Sequence, residues 1–290
     1  MGWPSGTLAV WGLGHIGASI VLAARQRGVA GTILGYDLDN ETATAMATHL
    51  EPVSSPDALQ QADLLILAVP PMALASCFER IAAWSRRPAV ISDVASIKEP
   101  VCRWAHATLG REAMPCFVPA HPIAGNEGKG YAAACPDLFG KRPVVITPHE
   151  TTTAQAVERI CTFWTGLDAR PVLMDCREHD RLLAALSHLP HAAAFALAGS
   201  TAGAASAWND TVGSLPRSLR EMLRVAGSDP ELWAQIFLLN RQALAAHLGG
   251  FIEALEELRT ALYQGKLATI ARWCADSHIG YGNAADRRDG

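Results

Sequence analysis

A glycine-rich loop near the start of the chain restricts the possible fold more than any other feature of the sequence. The motif G-x-G-x-x-G, formed by Gly12, Gly14 and Gly17, follows the apolar run Thr7–Trp11 and opens a helix-like stretch. In a strand–loop–helix unit these glycines permit a tight turn, the approach of a pyrophosphate and close helix-to-strand packing. The helix N-terminus adds unsatisfied N–H groups. The loop therefore predicts a parallel sheet that binds a dinucleotide.

The rest of the chain divides into an alternating part and a helical part. Short apolar runs separated by helix-like stretches continue to about Asp175. Such uninterrupted apolar runs are typical of strands covered on both faces. The further runs are Thr32–Tyr36, Asp63–Val69, Ala89–Asp93, Met114–Pro119, Pro143–Thr147 and Pro171–Met174. Four helical stretches are expected after Cys176, at Glu178–Ala207, Pro216–Ala226, Pro230–Tyr263 and Gln264–Asp276.

This division predicts an α/β fold with two domains. A Rossmann-like, doubly wound and mostly parallel sheet is expected in a dinucleotide-binding domain over residues 1–175. An all-helical domain is expected over residues 176–290. A formal charge of −4 and the lack of a basic run argue against a nucleic-acid partner. Only 18% of the residues are charged, which favours an apolar subunit interface.

One segment, Leu182–Asn209, carries no Asp, Glu, Lys or Arg and is long enough to span a bilayer. Because it contains His188, Pro190 and His191, we interpret it as an Ala-rich helix buried at a protein interface and expect no membrane. The seven cysteines form no C-x-x-C pair, so we expect reduced thiols, no metal site and a cytoplasmic protein.

The cofactor interpretation extends to residues around the loop. Asp37 ends the second apolar run, 25 residues after Gly12, near the spacing of the acid that binds an adenosine ribose hydroxyl. A carboxylate there repels a 2′-phosphate and favours NAD over NADP. Val69 and Pro70 end another run and are expected on the nicotinamide side. The loop residues expected to contact the cofactor also include Leu13, His15 and Ile16.

Candidate catalytic side chains follow other strand ends. His121 comes after the run that ends at Pro119, where open α/β sheets bind ligands, and a neutral imidazole there can accept a hydroxyl proton. Ser96 follows the strand ending at Asp93, whereas the nearby Lys98 is expected to be solvated. In the helical part, the run Ser187–His191 places two imidazoles in an apolar helix, where burying a polar group is costly without a function. Arg224 fits either a ligand for a substrate carboxylate or a helix-surface arginine.

Several motifs in this order resemble those of prephenate and arogenate dehydrogenases, the NAD(P)-dependent enzymes of tyrosine biosynthesis. They are Gly12–Gly17 with Gly35–Asp37, Asp93–Lys98, His121–Gly125 with Glu127, Leu138–Val144, Ser187–His191 and Ser228–Trp233. The resemblance implies NAD-dependent oxidative decarboxylation of prephenate to 4-hydroxyphenylpyruvate. Arogenate dehydrogenase and a cyclohexadienyl enzyme that accepts both substrates are the nearest alternatives.

The resemblance also implies that the helical domain, residues 176–290, binds substrate and forms a homodimer. It assigns roles to residues of this sequence as well. His121 matches the catalytic histidine, which Ser96 assists. Substrate-pocket positions match Ser187, His191 and Arg224, with Trp233 close by, and acidic positions near the pocket entrance match Glu127 and Asp180. Asn126 stands where many relatives carry Ser or Thr. As a neutral neighbour of the substrate side chain, it favours the keto group of prephenate over the ammonium of arogenate.

Two readings from other classes remain. The β-hydroxyacid dehydrogenases also pair a dinucleotide domain with a helical domain, but they use a catalytic lysine in the helical domain. This chain has no lysine between Cys176 and Gly265. A non-enzymatic, NAD-binding redox sensor would need the glycine loop but not the combination of His121, His191 and Arg224.

Overall fold

The computed structural model describes residues 3–125 and 128–285. A five-stranded sheet, with strand order β3-β2-β1-β4-β5, is parallel throughout. Its strands are β1 (Trp3–Trp11), β2 (Ala30–Tyr36), β3 (Glu51–Pro52), β4 (Leu64–Leu67) and β5 (Val90–Asp93). The helices between them are α1 (His15–Arg27), α2 (Asn40–Ala45) and α3 (Leu74–Ala82), and α4 (Glu99–Ala113) follows β5.

A second sheet of three strands adjoins the first. It contains β6 (Ala120–Pro122), β7 (Pro143–Ile146) and β8 (Arg170–Leu173), with helix α5 (Ala154–Gly166) between β7 and β8. The pair β6–β7 is antiparallel and the pair β7–β8 is parallel. The amide of Val118 donates to the carbonyl oxygen of Ile91 at 2.8 Å, which brings the segment before β6 alongside β5. The predicted α/β fold with a mostly parallel sheet is confirmed.

Apolar residues on the two faces of the large sheet form two cores. One core packs α1 and α5 against the sheet and includes Ile20, Ile66 and Trp164, all fully buried. The other packs α3 and α4 against the opposite face and includes Leu65, Phe78 and Phe117. The near-continuous burial of β4 follows from this double cover.

The predicted strand Met114–Pro119 is wrong. Residues Met114–Cys116 form a 3-10 turn, and only Phe117 makes a bridge, to Ile91. Proline has no N–H to donate to a ladder, and Pro115 and Pro119 flank the segment. The strand that positions the site is β6, which starts one residue beyond the predicted run.

The chain after β8 is helical in the described residues. Helix α6 (Cys176–Leu183) starts where the Asp175 side chain accepts from the amides of Arg177 and Glu178. A π-helical turn (Ala184–His188) joins it to α7 (Leu189–Val212). The later helices are α8 (Arg217–Ala226), α9 (Pro230–Leu239), α10 (Arg241–Tyr263) and α11 (Leu267–Ala285). The predicted single helix Pro230–Tyr263 is therefore interrupted at Asn240.

By its internal contacts the chain separates into two compact units, Met1–Arg241 and Gln242–Gly290. In the second unit, the indole nitrogen of Trp273 donates to the carbonyl oxygen of Ala254 at 3.1 Å and joins α11 to α10. The domain boundary near residue 175 stays a prediction.

Candidate active site

The glycine loop between β1 and α1 is closely packed at Gly12 and Gly17 and open at Gly14. Gly12 has φ +97°, and a Cβ there would collide with the carbonyl of Ala68. A Cβ on Gly17 would collide with the carbonyl of Gly12, whereas a Cβ on Gly14 would meet nothing within 4 Å. No side chain caps the N-terminus of α1 at Gly14. The N–H groups at this end of α1 therefore suit a diphosphate.

Asp37 lies against this loop. Its Oδ2 atom accepts from the amide of Leu13 at 2.6 Å, and its Oδ1 atom accepts from the amide of Asp39 at 2.9 Å. A carboxylate has about four lone-pair sites, so two remain for a further partner. Asp37 thus holds the loop in shape and keeps capacity for a ribose hydroxyl.

A cleft of about 540 Å³ extends from the glycine loop to the carboxyl ends of β4 and β5, a volume within the range of small-molecule sites. Among the predicted site residues, those that line it are Gly14, His15, Ile16, Val69, Pro70, Ser96, His121 and Trp233. Leu13 is instead fully buried in the core. The described residues that line the cleft do not include Ser187, His191 or Arg224. Asn126 and Glu127 lie outside the described residues.

Three side chains form a buried hydrogen-bonded series that ends at the cleft. The Nδ1 atom of His121 lies 2.8 Å from Nε2 of His179, and Nδ1 of His179 lies 2.7 Å from Oδ1 of Asp180. His179 is completely buried, and His121 is only 8% exposed. We call this series of His121, His179 and Asp180 the imidazole relay. The sequence did not single out His179, because its partner His121 lies 58 residues away along the chain.

Asp180 does not lie at an entrance but is buried and anchored. Its Oδ1 and Oδ2 atoms accept from the amides of Lys98 and Glu99, both at 2.8 Å, at the start of α4. Its carbonyl oxygen accepts from the side-chain amide of Asn240 at 2.8 Å. The interruption between α9 and α10 therefore places a buried amide beside the relay. Asp180, Ala184 and His188 are spaced four residues apart, which places them on one face of a helix. This spacing was the sequence signal that Asp180 and His188 lie near each other.

His188 is completely buried behind the relay. The amide nitrogen of Asn240 lies 3.1 Å from its Nδ1 atom, and its ring lies edge-on to Trp233 with centroids 6.0 Å apart. Burial lowers the pKa of His188 to about 4, so the imidazole is neutral near pH 7.

The expectation that Lys98 is solvated is wrong. Lys98 is completely buried, its Nζ atom pairs with the buried carboxylate of Asp93, and it donates to the carbonyl oxygen of Ala120 at 2.6 Å. The carboxyl end of β5 and the start of α4 hold this pair, and a buried cation requires such partners. The pair puts a positive charge next to the residue that precedes His121.

The pKa of His121 is held well below its ordinary value. Burial is the main cause, because it disfavours the charged imidazolium, and His179, Lys98 and His188 act in the same direction. His121 is therefore a neutral imidazole over a wide pH range. A neutral imidazole at the cleft can accept a proton, which is the chemistry predicted for this residue.

One of the remaining predicted residues, His191, lies against Trp233. The rings of His191 and Trp233 are stacked with centroids 3.4 Å apart, and Nδ1 of His191 lies 2.9 Å from the carbonyl oxygen of Ser187. Trp233 lines the cleft, so His191 packs against a residue of the cleft wall without lining the cleft itself. Arg224 lies in the last turn of α8. The pocket roles of Ser187, His191 and Arg224 stay predictions.

A cationic side chain that the sequence did not single out lies at the cleft. Nζ of Lys129 lies 3.1 Å from Oδ2 of Asp229, which also caps the N-terminus of α9. Among the described residues that line the cleft, Lys129 is the only lysine or arginine, whereas Asp229 and Glu231 are acidic. Lys129 is therefore a candidate for binding an anionic ligand, which would compete with Asp229 for its ammonium group.

Comparison with known proteins identifies the family. Residues 20–173 match the profile of the prephenate dehydrogenase nucleotide-binding domain, and residues 175–276 match that of the prephenate dehydrogenase dimerization domain. A cyclohexadienyl dehydrogenase of Zymomonas mobilis is 34% identical over 261 residues, which cover 88% of each chain. A prephenate dehydrogenase of Bacillus subtilis is 29% identical over 290 residues, covering 98% of this chain and 76% of the relative.

Solved structures share the fold. A prephenate dehydrogenase from Aquifex aeolicus, in complex with hydroxyphenyl propionate and NAD⁺, superposes with a TM-score of 0.85 at 24% identity over 96% of this chain and 98% of that one. A Synechocystis arogenate dehydrogenase gives a TM-score of 0.76 at 25% identity over 96% and 100%. With its nucleotide-binding and dimerization domains both matched, the chain belongs to the prephenate dehydrogenase family.

Proposed function

We propose that the chain is an NAD-dependent prephenate dehydrogenase, which oxidises and decarboxylates prephenate to 4-hydroxyphenylpyruvate. The observation that carries this proposal is the neutral, buried imidazole of His121 at the cleft. Because its Nδ1 atom is taken up by His179, Nε2 is the ring nitrogen left for the hydroxyl proton of a substrate. The cleft connects this base to the glycine loop, as an oxidation by a dinucleotide requires.

Different residues of the chain would serve different steps of the reaction. Nε2 of His121 accepts the proton of the 4-hydroxyl group, and the hydroxyl of Ser96, which also lines the cleft, helps to orient that group. When bound, NAD⁺ supplies the acceptor for the hydride that leaves C4. The ring carboxylate then leaves as CO₂, and its bonding electron pair makes the ring aromatic. The imidazolium of His121 returns its proton to the ring oxygen.

The NAD site is formed by the residues of the glycine loop. The N–H groups at the start of α1 and the open space at Gly14 would hold the diphosphate, with Gly12 and Gly17 shaping the turn. Asp37 would accept from the ribose hydroxyls and repel the 2′-phosphate of NADP. Val69 and Pro70, which line the cleft, would face the nicotinamide.

The substrate carries two carboxylates, and the cations near the cleft would bind them. Lys129 lines the cleft, and Arg224 retains the pocket role that the family resemblance implies. Ser187 and His191 complete this side of the pocket, with His191 held against Trp233. A charge-assisted hydrogen bond to a carboxylate is about twice as strong as a neutral one, so these contacts would dominate substrate affinity.

A second candidate is a cyclohexadienyl dehydrogenase that also oxidises arogenate to tyrosine. A site for arogenate should offer a carboxylate to the ammonium group, and Glu231 and Asp229 both line the cleft. Asp229 already pairs with Lys129, so Glu231 is the better candidate. The similarity to the Zymomonas mobilis cyclohexadienyl dehydrogenase points in the same direction.

One experiment tests both candidates. NAD⁺ reduction is followed at 340 nm with prephenate, with arogenate and with no substrate. Turnover of prephenate alone supports the first candidate, and turnover of both supports the second. If the enzyme uses both, Glu231→Gln should lower kcat/KM for arogenate several-fold more than for prephenate. An enzyme that reduces NAD⁺ with neither substrate contradicts both proposals.

We also propose a cytoplasmic homodimer. One continuous helical segment in the described residues, Cys176–Val212, is long and apolar enough to cross a membrane, and only 17% of its most apolar window is buried. Its match to a dimerization domain supports coverage by a second subunit instead. In the second unit, exposed Phe251, Ile252 and Leu255 present a further apolar face. Light scattering coupled to size exclusion would test the proposal, and a monomer at micromolar concentration would contradict it.

A further inference from the structure

The two residues behind His121 have no role in the reaction as described so far. His179 is a completely buried imidazole, and Asp180 is a nearly buried carboxylate. Burying such polar groups costs free energy unless their hydrogen bonds are satisfied. In the imidazole relay both ring nitrogens of His179 have partners at 2.7 and 2.8 Å. The direction of these two hydrogen bonds can be worked out from the groups that surround Asp180.

Asp180 is fixed as an acceptor. The amide of Lys98 donates to Oδ1 and that of Glu99 donates to Oδ2, and a backbone N–H cannot reverse its role. Both amides belong to the start of α4, where the helix dipole also favours a negative carboxylate. The atom of His179 that faces Oδ1 must therefore be Nδ1–H. In a neutral imidazole, Nε2 of His179 then carries a lone pair.

The same reasoning applies to the hydrogen bond between His179 and His121. A lone pair on Nε2 of His179 requires a donor at 2.8 Å, so His121 must place its proton on Nδ1. Nε2 of His121 is then the basic nitrogen. We infer that Asp180 and His179 are positioning residues, which fix the tautomer of His121 so that its lone pair lies on the nitrogen offered to the substrate. This inference rests on the proposed function only for the identity of that substrate.

The relay would also act after proton transfer. When Nε2 of His121 takes up the hydroxyl proton, the imidazolium still donates through Nδ1 to His179, and the charge of Asp180 offsets the new positive charge. The charged and titratable groups around His121 are His179 and Asp180 from α6, Lys98 with Asp93, and His188. Of these, Asp180 and Asp93 favour the imidazolium, and Asp93 is already paired with Lys98.

The tautomer can be measured directly in the wild-type enzyme. Protein labelled with ¹⁵N at histidine is examined by long-range ¹H–¹⁵N correlation spectra at pH 7, and His121→Asn and His179→Gln assign the two rings. The expected result is the Nδ1–H tautomer for both His121 and His179. An Nε2–H tautomer for His121, or an imidazolium at His179, would overturn the inference.

Two substitutions at His179 then test its consequence. Glutamine has an amide donor for Asp180 and a carbonyl acceptor for Nδ1–H of His121, so His179→Gln should keep kcat within about tenfold of wild type. His179→Leu removes both, and kcat should fall at least about a hundredfold as the tautomer of His121 becomes mixed. Calorimetric affinity for NAD⁺ should stay the same in both variants. His106→Leu, at an exposed position on α4, is the matched control and should retain full activity.

The failures of the two proposals are distinguishable. If the wild type oxidises neither prephenate nor arogenate, the proposed function fails, but the spectra still report the tautomer. If the wild type is active and His179→Leu retains its kcat with His121 as the Nδ1–H tautomer, the relay does not position the base. Equal losses in His179→Gln and His179→Leu would show that His179 acts through packing alone, and would equally overturn the inference.

Discussion

The Nζ atom of Lys98 lies 2.6 Å from the carbonyl oxygen of Ala120, the residue that precedes His121 in β6. The Lys98 side chain is thus completely buried, and its amino group lies beside the residue that precedes the proposed base. Its charge disfavours protonation of the imidazole, in the same direction as burial does. A catalytic base that must be neutral gains from both effects.

The first prediction concerns pH. Because the pKa of His121 lies well below its ordinary value, the imidazole stays neutral as the pH falls through the usual histidine range. We therefore expect kcat/KM for prephenate to show no loss attributable to a histidine between pH 7.5 and 6. Initial rates at saturating NAD⁺ over pH 4.5–8 measure this. A decline with an apparent pKa near 6.5 would show that the base is exposed to solvent.

The second prediction concerns the base itself. His121→Asn should lower kcat at least about a hundredfold, because an amide cannot take up the hydroxyl proton. NAD⁺ affinity measured by calorimetry should be unchanged, since the glycine loop is untouched. Near-normal turnover in this variant would remove His121 from its proposed role.

The third prediction concerns substrate charge. Lys129→Gln should raise KM for prephenate several-fold with little change in kcat, because a carboxylate contact is present before and during the reaction. Lys129→Arg should retain most of the affinity. Lys141→Gln, at an exposed lysine before β7, serves as the control. Comparison with Arg224→Gln shows which cation matters more, and an unchanged KM in Lys129→Gln would exclude Lys129 as a carboxylate ligand.

The fourth prediction concerns cofactor choice. Asp37→Asn keeps an oxygen acceptor for the amide of Leu13 but removes the charge that repels a 2′-phosphate. The ratio of kcat/KM for NADP⁺ to that for NAD⁺ should therefore rise at least several-fold. A wild type that already prefers NADP⁺ would contradict the role given to Asp37.

Sequence patterns predicted the parts of the molecule that depend on local periodicity. The runs that became β1, β2, β4 and β5 are continuous apolar segments, and the glycine loop lies where strand, turn and helix meet. The interruption at Asn240 could not be predicted, because its cause is a partner elsewhere in the chain. The side chain of Asn240 bonds to Asp180, 60 residues away.

The surroundings of His121 could not be predicted from the sequence for a similar reason. A lysine near a strand end is usually solvated, and only the proximity of Asp93 and Ala120 shows why Lys98 is buried. His179 was not predicted, because only the fold brings it to His121, 58 residues away along the chain. Ser96 could be placed near the cleft because it follows β5 at the carboxyl end of the parallel sheet, where such folds bind ligands. His121 also lines the cleft, but it lies within β6, which pairs antiparallel with β7, so the parallel strand end expected before it is not observed.

Asp180 is anchored by the amides of Lys98, which precedes α4, and of Glu99, the first residue of α4, so the orientation of His121 depends on the packing of α6 against α4. His121 lies in β6, its partner His179 lies in α6, and the amides that anchor Asp180 lie at the start of α4. Because Glu99 and Asp180 are 81 residues apart along the chain, His121 is oriented only once α6 has packed against α4. A partly folded chain with the glycine loop already formed could hold nucleotide while its base is still misdirected. Recovery of turnover during refolding would therefore lag behind recovery of nucleotide binding, and the interval between the two would time the docking of α6.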